Sequence, residues 1–148
     1  MRFLIVTAAL LTCQFAFAEE KQPAITRLGH VTVFVKDYDE ALKWYTQTLG
    51  LEKTADQPFG DSGERWLTVA PAGQKETQIV LAKTRPSTAG LIGKQSHWVF
   101  QTSDCQKAYQ QLQARGVKFS VPPQKQPWGT QAIFEDLYGN QFVLVEDR

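Results

Sequence analysis

GHVTVFVKDYDEALKWYTQTLGL, residues 29–51, and SHWVFQTSDCQKAYQQLQARGV, residues 96–117, are two versions of one passage. Laid over each other they place His30 on His97, Asp37 on Asp104 and Ala41 on Ala108; a one-residue gap then brings Gly50 onto Gly116 and Leu51 onto Val117. Each copy begins with the period-two alternation of a half-buried strand, changes to helical spacing, and stops at glycine. In the first helix Tyr38, Ala41, Leu42, Tyr45 and Leu49 form one apolar stripe, and in the second Ala108, Tyr109 and Leu112 do the same. Such stripes bury against a sheet, so they are expected to be core.

Both copies continue into strands. The first gives RWLTVAP (65–71) and TQIVLAK (77–83), the second TQAIFED (130–136) and QFVLVE (141–146). QIVLA over QFVLV brings Gln78 onto Gln141 and Val80 onto Val143. A short strand near 51–55, and its counterpart near 117–120, would complete each unit as βαβββ. Module 1 then spans about residues 26–83 and module 2 about residues 96–146. Between them, TRPSTAGLIGKQ (84–95) has the Pro, Gly, Ser and Thr content of a surface linker.

The N terminus is of a different kind. MRFLIVTAALLTCQFAFA (1–18) carries an early Arg2, an apolar run and a small-residue end at Ala16-Phe17-Ala18, the pattern of a secretory signal peptide cleaved before Glu19. A membrane anchor needs ~20 mostly apolar residues, whereas this run is broken by Thr12, Cys13 and Gln14. Lipidation at Cys13 is disfavoured by Thr12, which stands where a lipoprotein signal wants a smaller residue. The expectation is export to the periplasm or the medium. Removing 18 of 148 residues leaves a single domain at 19–148 and no second long apolar segment, hence no membrane contact after cleavage.

Charge and cysteine content narrow the partners. Loss of Arg2 takes the 16 basic residues to 15, equal to the 15 acidic ones, so no field favours nucleic acid or an anionic membrane. A small molecule or a second copy of the chain is the expected partner. Only Cys105 survives cleavage, so the exported chain has no internal disulfide and rests on its core. With Asp104 before it as a helix N-cap, Cys105 is expected to be structural.

Taken together, GHVTVFVKDYDEALKWYTQTLGL, SHWVFQTSD, LQARGVKF and WGTQAIFEDLYGNQFVLVE resemble the vicinal oxygen chelate superfamily. That superfamily embraces glyoxalase I, bleomycin-resistance proteins, fosfomycin-resistance thiol transferases and extradiol dioxygenases. The resemblance covers nearly all of residues 26–146. DLYGN looks like the family's DPDGN turn; Leu137 and Tyr138 depart from it, while Asp136, Gly139 and Asn140 keep its hydrogen-bonding and glycine positions. The implied fold is α+β: two tandem βαβββ modules forming one open, cup-shaped mixed sheet, often completed by a second subunit as a homodimer. Function on such a fold is set by the site and not by the fold.

The resemblance also implies where a divalent metal would sit, on the concave face, with ligands on the first and last strands of each module. His30 and His97, the chain's only histidines, occupy the two first-strand positions. The two last-strand positions, glutamate in metal-binding relatives, hold Val80 and Val143. Glu146 stands three residues beyond Val143, an odd offset that puts it on the opposite face of a regular strand. Strand alternation adds Thr32, Phe34, Trp66, Gln78, Gln101 and Gln141 as ligand-contacting residues of the concave face. A site of two imidazoles and two amides binds a divalent ion more weakly than one with two carboxylates, and it lacks the base that moves the proton in glyoxalase chemistry.

The residues thus support functions of two classes. One is a metal-free binding protein of bleomycin-resistance type, holding an aromatic or amphiphilic molecule between Phe34, Trp66 and Trp128 of the PPQKQPWG stretch. The other is a metal-dependent lyase, thiol transferase or dioxygenase anchored on His30 and His97. A structural dimer without ligand is the third and plainest.

Overall fold

A computed structural model of the chain describes residues 27–60, 63–94 and 98–147. The expected signal peptide, Glu19 and His97 lie outside the described residues. Among those residues no helix is long and apolar enough to cross a membrane.

Strand β1 (His30–Val35) leads into α1 (Tyr38–Lys43), which runs on through a π-helical turn at Trp44–Thr48. Three strands follow: β2 (Glu52–Phe59), β3 (Glu64–Ala70) and β4 (Gln78–Lys83). A short 3-10 turn at Ala89–Leu91 lies in the connection. The pattern then recurs as β5 (Trp98–Gln101), α2 (Cys105–Ala114), β6 (Lys118–Gln126), β7 (Gly129–Glu135) and β8 (Gln141–Asp147). The strands form two four-stranded mixed sheets, ordered β1-β4-β3-β2 and β5-β8-β7-β6, and neither closes into a barrel. In each, the first and last strands of the module pair in parallel and the rest are antiparallel.

Both helices begin on a capping aspartate. The Asp37 carboxylate accepts from the Asp39 and Glu40 N–H groups, which holds its pKa below the usual carboxylate value. The Asp104 carboxylate accepts from Lys107 N–H at 2.8 Å. Each cap uses donors that a helix start leaves unpaired.

The strands near 51–55 and 117–120 prove much longer than their sequence suggested, running eight residues in β2 and nine in β6. Pro58, Pro122 and Pro123 make these stretches read as loops, because proline cannot donate to a ladder. They are tolerated here because β2 and β6 are edge strands. Trp128 accordingly sits at the tight β6–β7 connection and is exposed.

One hydrophobic core joins the modules. From the first come Val33, Val35, Tyr45, Leu67, Val69 and Leu81; from the second, Phe134, Phe142 and Leu144. Apart from Tyr45 of the π-helical turn, these side chains occupy alternate strand positions, so the helix-facing sides of both sheets share one interior. Phe100, Phe134 and Phe142 have ring centroids 5.3–5.9 Å apart. Tyr45 meets Phe142 edge-on at 6.4 Å. Phe142 is fully buried, and truncation to alanine there would cost about 3–5 kcal/mol.

Asp136 ties the modules by hydrogen bonds as well. Its Oδ1 accepts from the N–H groups of Tyr138 and Asn140, and its Oδ2 from the Tyr45 hydroxyl and Asn140 Nδ2. Asn140 Nδ2 also donates to the Phe34 carbonyl of β1, and its Oδ1 accepts from Gly93 N–H in the connection. Gly93 lies at φ +70°, and a Cβ there would come within 3.2 Å of the Tyr138 carbonyl oxygen, so glycine is required.

Candidate functional site

The side of the first sheet turned away from the core is set by register. β1 and β4 pair His30 with Gln78 and Thr32 with Val80; β3 and β4 pair Thr68 with Val80. Side chains of one face recur every second residue, so His30, Thr32, Phe34, Trp66, Thr68, Gln78, Val80 and Ala82 share one wall. A cavity of about 310 Å³ opens against it, lined by Thr32, Phe34, Phe59, Trp66, Val80 and Ala82. At its mouth Glu64 and Arg85 form a bidentate ion pair, which lowers the Glu64 pKa and raises that of Arg85.

His30 is exposed and packs edge-on against Trp66, ring centroids 5.1 Å apart. Beside it the wall turns polar. A bulge in β2 between Lys53 and Ala55 makes Thr54 an extra residue and lets its hydroxyl reach across the sheet. Thr54 Oγ1 lies 2.6 Å from Thr68 Oγ1 and donates to Gln78 Oε1 at 2.9 Å. The direction of this relay follows from Thr68, which is fully buried and whose hydroxyl meets only Thr54 among the described residues. With Thr68 donating to Thr54, and Thr54 to the amide oxygen, every hydroxyl hydrogen has an acceptor. The reverse order would strand the buried Thr68 hydrogen at a cost of about 1–3 kcal/mol.

Val80, 7% exposed, lies between Thr32 of β1 and Thr68 of β3, and Gln78, two residues before it, accepts from Thr54 through its amide oxygen. Among the described residues no group of three or more His, Cys, Asp or Glu side chains could hold an ion. Glu146 lies on the opposite face of β8 from Val143, as alternation requires. Its Oε2 accepts from the Cys105 N–H at 2.8 Å and so caps α2.

The sequence-derived candidates divide between the two sheets. Thr32, Phe34 and Trp66 line the first-sheet cavity, and Gln78 adjoins it on the same face. Gln141 lies on the second sheet, where its Nε2 donates to Glu135 Oε1 at 3.1 Å. Gln101, exposed on β5, borders a different hollow of about 500 Å³ between the modules, lined also by Leu28, Val31, Ile79, Trp98 and Phe100. Trp128 is not part of the first-sheet lining: it belongs to a hairpin of the second sheet, which shares no strand pairing with the first. Thr54, Phe59 and the Glu64–Arg85 pair were not among the candidates. Thr54 was hidden because a bulge cannot be read from alternation; Phe59 because Pro58 and the following glycines resemble a loop.

Comparison with known proteins agrees with this architecture. Residues 27–144 match the model of the glyoxalase/bleomycin resistance protein/dioxygenase superfamily. Among solved structures, TnmS3, an antibiotic binding protein from Streptomyces sp. CB03234, is 36% identical with a TM-score of 0.74, covering 85% of this chain and 99% of its own. UcmS2 is 37% identical with a TM-score of 0.75, covering 83% and 99%. An uncharacterized protein of Shewanella frigidimarina (strain NCIMB 400) is 35% identical over 122 residues, 79% of this chain and 90% of that one. Two βαβββ modules around a shared core, matched over most of their length by that model, show that the chain belongs to the glyoxalase/bleomycin resistance protein/dioxygenase superfamily.

Proposed function

We propose that the chain is an exported binding protein that holds a small aromatic or amphiphilic molecule against the concave side of its first sheet. The observation that supports this reading is the wall itself: Phe34, Trp66, Phe59 and Ala82 line one cavity with Val80, a valine at the position where the family resemblance implies a glutamate in metal-dependent members. Aromatic side chains present large apolar faces at low entropic cost, which suits capture of a flat ligand. The likeness to a protein described as antibiotic binding favours the same class. Export rests on residues 1–18, whose pattern is that of a cleaved signal peptide.

A cavity open on one side buries only part of such a ligand. In this proposal a second copy closes it, bringing the Gln101 and Gln141 face of its second sheet over the first sheet of its partner.

The test is titration of the secreted protein with 1-anilinonaphthalene-8-sulfonate, followed by its fluorescence gain. Trp66→Ala and Phe34→Ala are expected to weaken binding about tenfold or more, the scale of losing an aromatic contact of 1.5 kcal/mol or above. Unchanged affinity in both variants would remove the cavity as the site. Elemental analysis of the untagged protein provides the second arm: near-stoichiometric metal that vanishes in His30→Ala and His97→Ala would replace this reading with the enzymatic one. The intact mass of the secreted protein tests export, a chain beginning at Glu19 being expected.

A further inference from the structure

We infer that the first-sheet cavity selects ligands carrying a hydrogen-bond acceptor, a carbonyl or carboxylate oxygen, and that the selecting group is the Gln78 amide locked by Thr54 and Thr68. The inference rests on the binding reading above and names the ligand chemistry that the same wall would take.

A glutamine on a protein surface is ambivalent, because its amide turns to offer either oxygen or nitrogen. Here it cannot turn freely. The Thr68 hydroxyl, fully buried, donates to Thr54, and Thr54 donates to Gln78 Oε1. The amide oxygen is thereby engaged at the sheet, and Nε2 is left as the outward group. It makes no hydrogen bond among the described residues. Gln78 lies directly across from His30 on the neighbouring strand and one step along the face from Val80 and Thr32, which line the cavity. A flat ligand resting on Trp66 would therefore meet an apolar wall along most of its length and an amide donor at one end.

The relay also explains why a polar pair is buried in this sheet. Thr54 is the bulged residue of β2 and Thr68 is enclosed in β3, so two strands fix the orientation of one side chain on a third. Orientation fixed before binding adds selectivity because no rotamer freedom is lost when the ligand arrives.

9-Fluorenone and fluorene test this directly, since they share a flat tricyclic frame and differ only in a C=O against a CH2. Affinities are read by quenching of tryptophan fluorescence in the full secreted protein. The expected result is tighter binding of fluorenone by about threefold to tenfold, the value of one net hydrogen bond. In Gln78→Leu that ratio falls to near one. In Gln78→Glu, which keeps the bond from Thr54 but exchanges the donors for an oxygen, it falls below one. In Thr54→Val, which releases the amide, it falls partway. Equal binding of both probes, or a ratio unchanged in Gln78→Leu and Gln78→Glu, overturns the inference while leaving the aromatic cavity standing. Binding of neither probe, or binding of both that is indifferent to Trp66→Ala, overturns the cavity reading and the inference with it.

Discussion

The Tyr45 hydroxyl donates to Asp136 Oδ2 at 2.7 Å, linking the first helix of one module to the turn between the last two strands of the other. Both groups are buried, so the bond is shielded from competition by water. Tyr45→Phe is expected to cost about 1–3 kcal/mol, because the Asp136 carboxylate loses a donor it cannot replace from solvent. Urea denaturation would show this as a lower midpoint at unchanged slope.

The same pair predicts a response to alkali. Burial, with Asp136 adding to it, raises the Tyr45 pKa well above the ordinary tyrosine value. A raised pKa means that the neutral form is favoured by folding. Its contribution is complete below the unfolded value of about 10 and is lost as pH rises toward the higher folded value. Wild-type stability should therefore fall above pH ~10, and the gap between wild type and Tyr45→Phe should narrow there. A gap constant with pH would contradict the assignment.

Glu146 is a helix cap, and its removal should behave as one. Glu146→Ala is expected to lose about 1 kcal/mol, the sum of a lost hydrogen bond to Cys105 N–H and a lost charge at a helix N-terminus. Salt should reduce the loss, and ligand affinity should not change. Cys105 beneath it is fully buried, and burial, with the Glu146 and Asp104 carboxylates, raises its thiol pKa. A disulfide reagent such as 5,5′-dithiobis(2-nitrobenzoate) should thus modify the native protein only as fast as it unfolds.

Arg65 makes a fork to Asp56, at 2.9 and 2.8 Å, and a third bond to Asp39 at 2.6 Å. Its hydrogen bonds hold the Asp56 pKa below the ordinary carboxylate value. A depressed pKa gives stability that is present above the unfolded value of about 3.9 and is lost as pH falls through the folded one. Arg65→Lys cannot reproduce the fork. It is expected to cost up to about 1 kcal/mol, since the pair is partly exposed, and to shift the acid unfolding midpoint upward.

Val99 is 62% exposed on β5, an edge strand of the second sheet, beside the face that would close the cavity of a partner. Sedimentation at micromolar concentration is expected to give twice the mass of a single chain. Val99→Lys should shift the protein toward monomer and weaken 1-anilinonaphthalene-8-sulfonate binding in parallel. A wild-type monomer with full affinity would dispose of the shared cavity.

The internal repeat made the α+β class and the βαβββ modules legible, because alternation and helical spacing are local properties written into 29–51 and again into 96–117. Alternation likewise assigned Phe34, Trp66 and Gln78 to one face and Glu146 to the other, since a side chain's direction in a strand depends only on the parity of its position. What sequence left open are relationships between strands. Pro58 and Pro122 read as loop until the topology shows β2 and β6 at sheet edges. Thr54 is one polar residue among many until a bulge brings it to Thr68 and Gln78. The same holds for Gln101 and Gln141, which parity groups with Gln78, but which the fold places on a separate sheet across a shared core. Parity is a property of one strand, whereas a site requires several strands at fixed register, and that register comes from bulges and core packing among residues far apart in the chain.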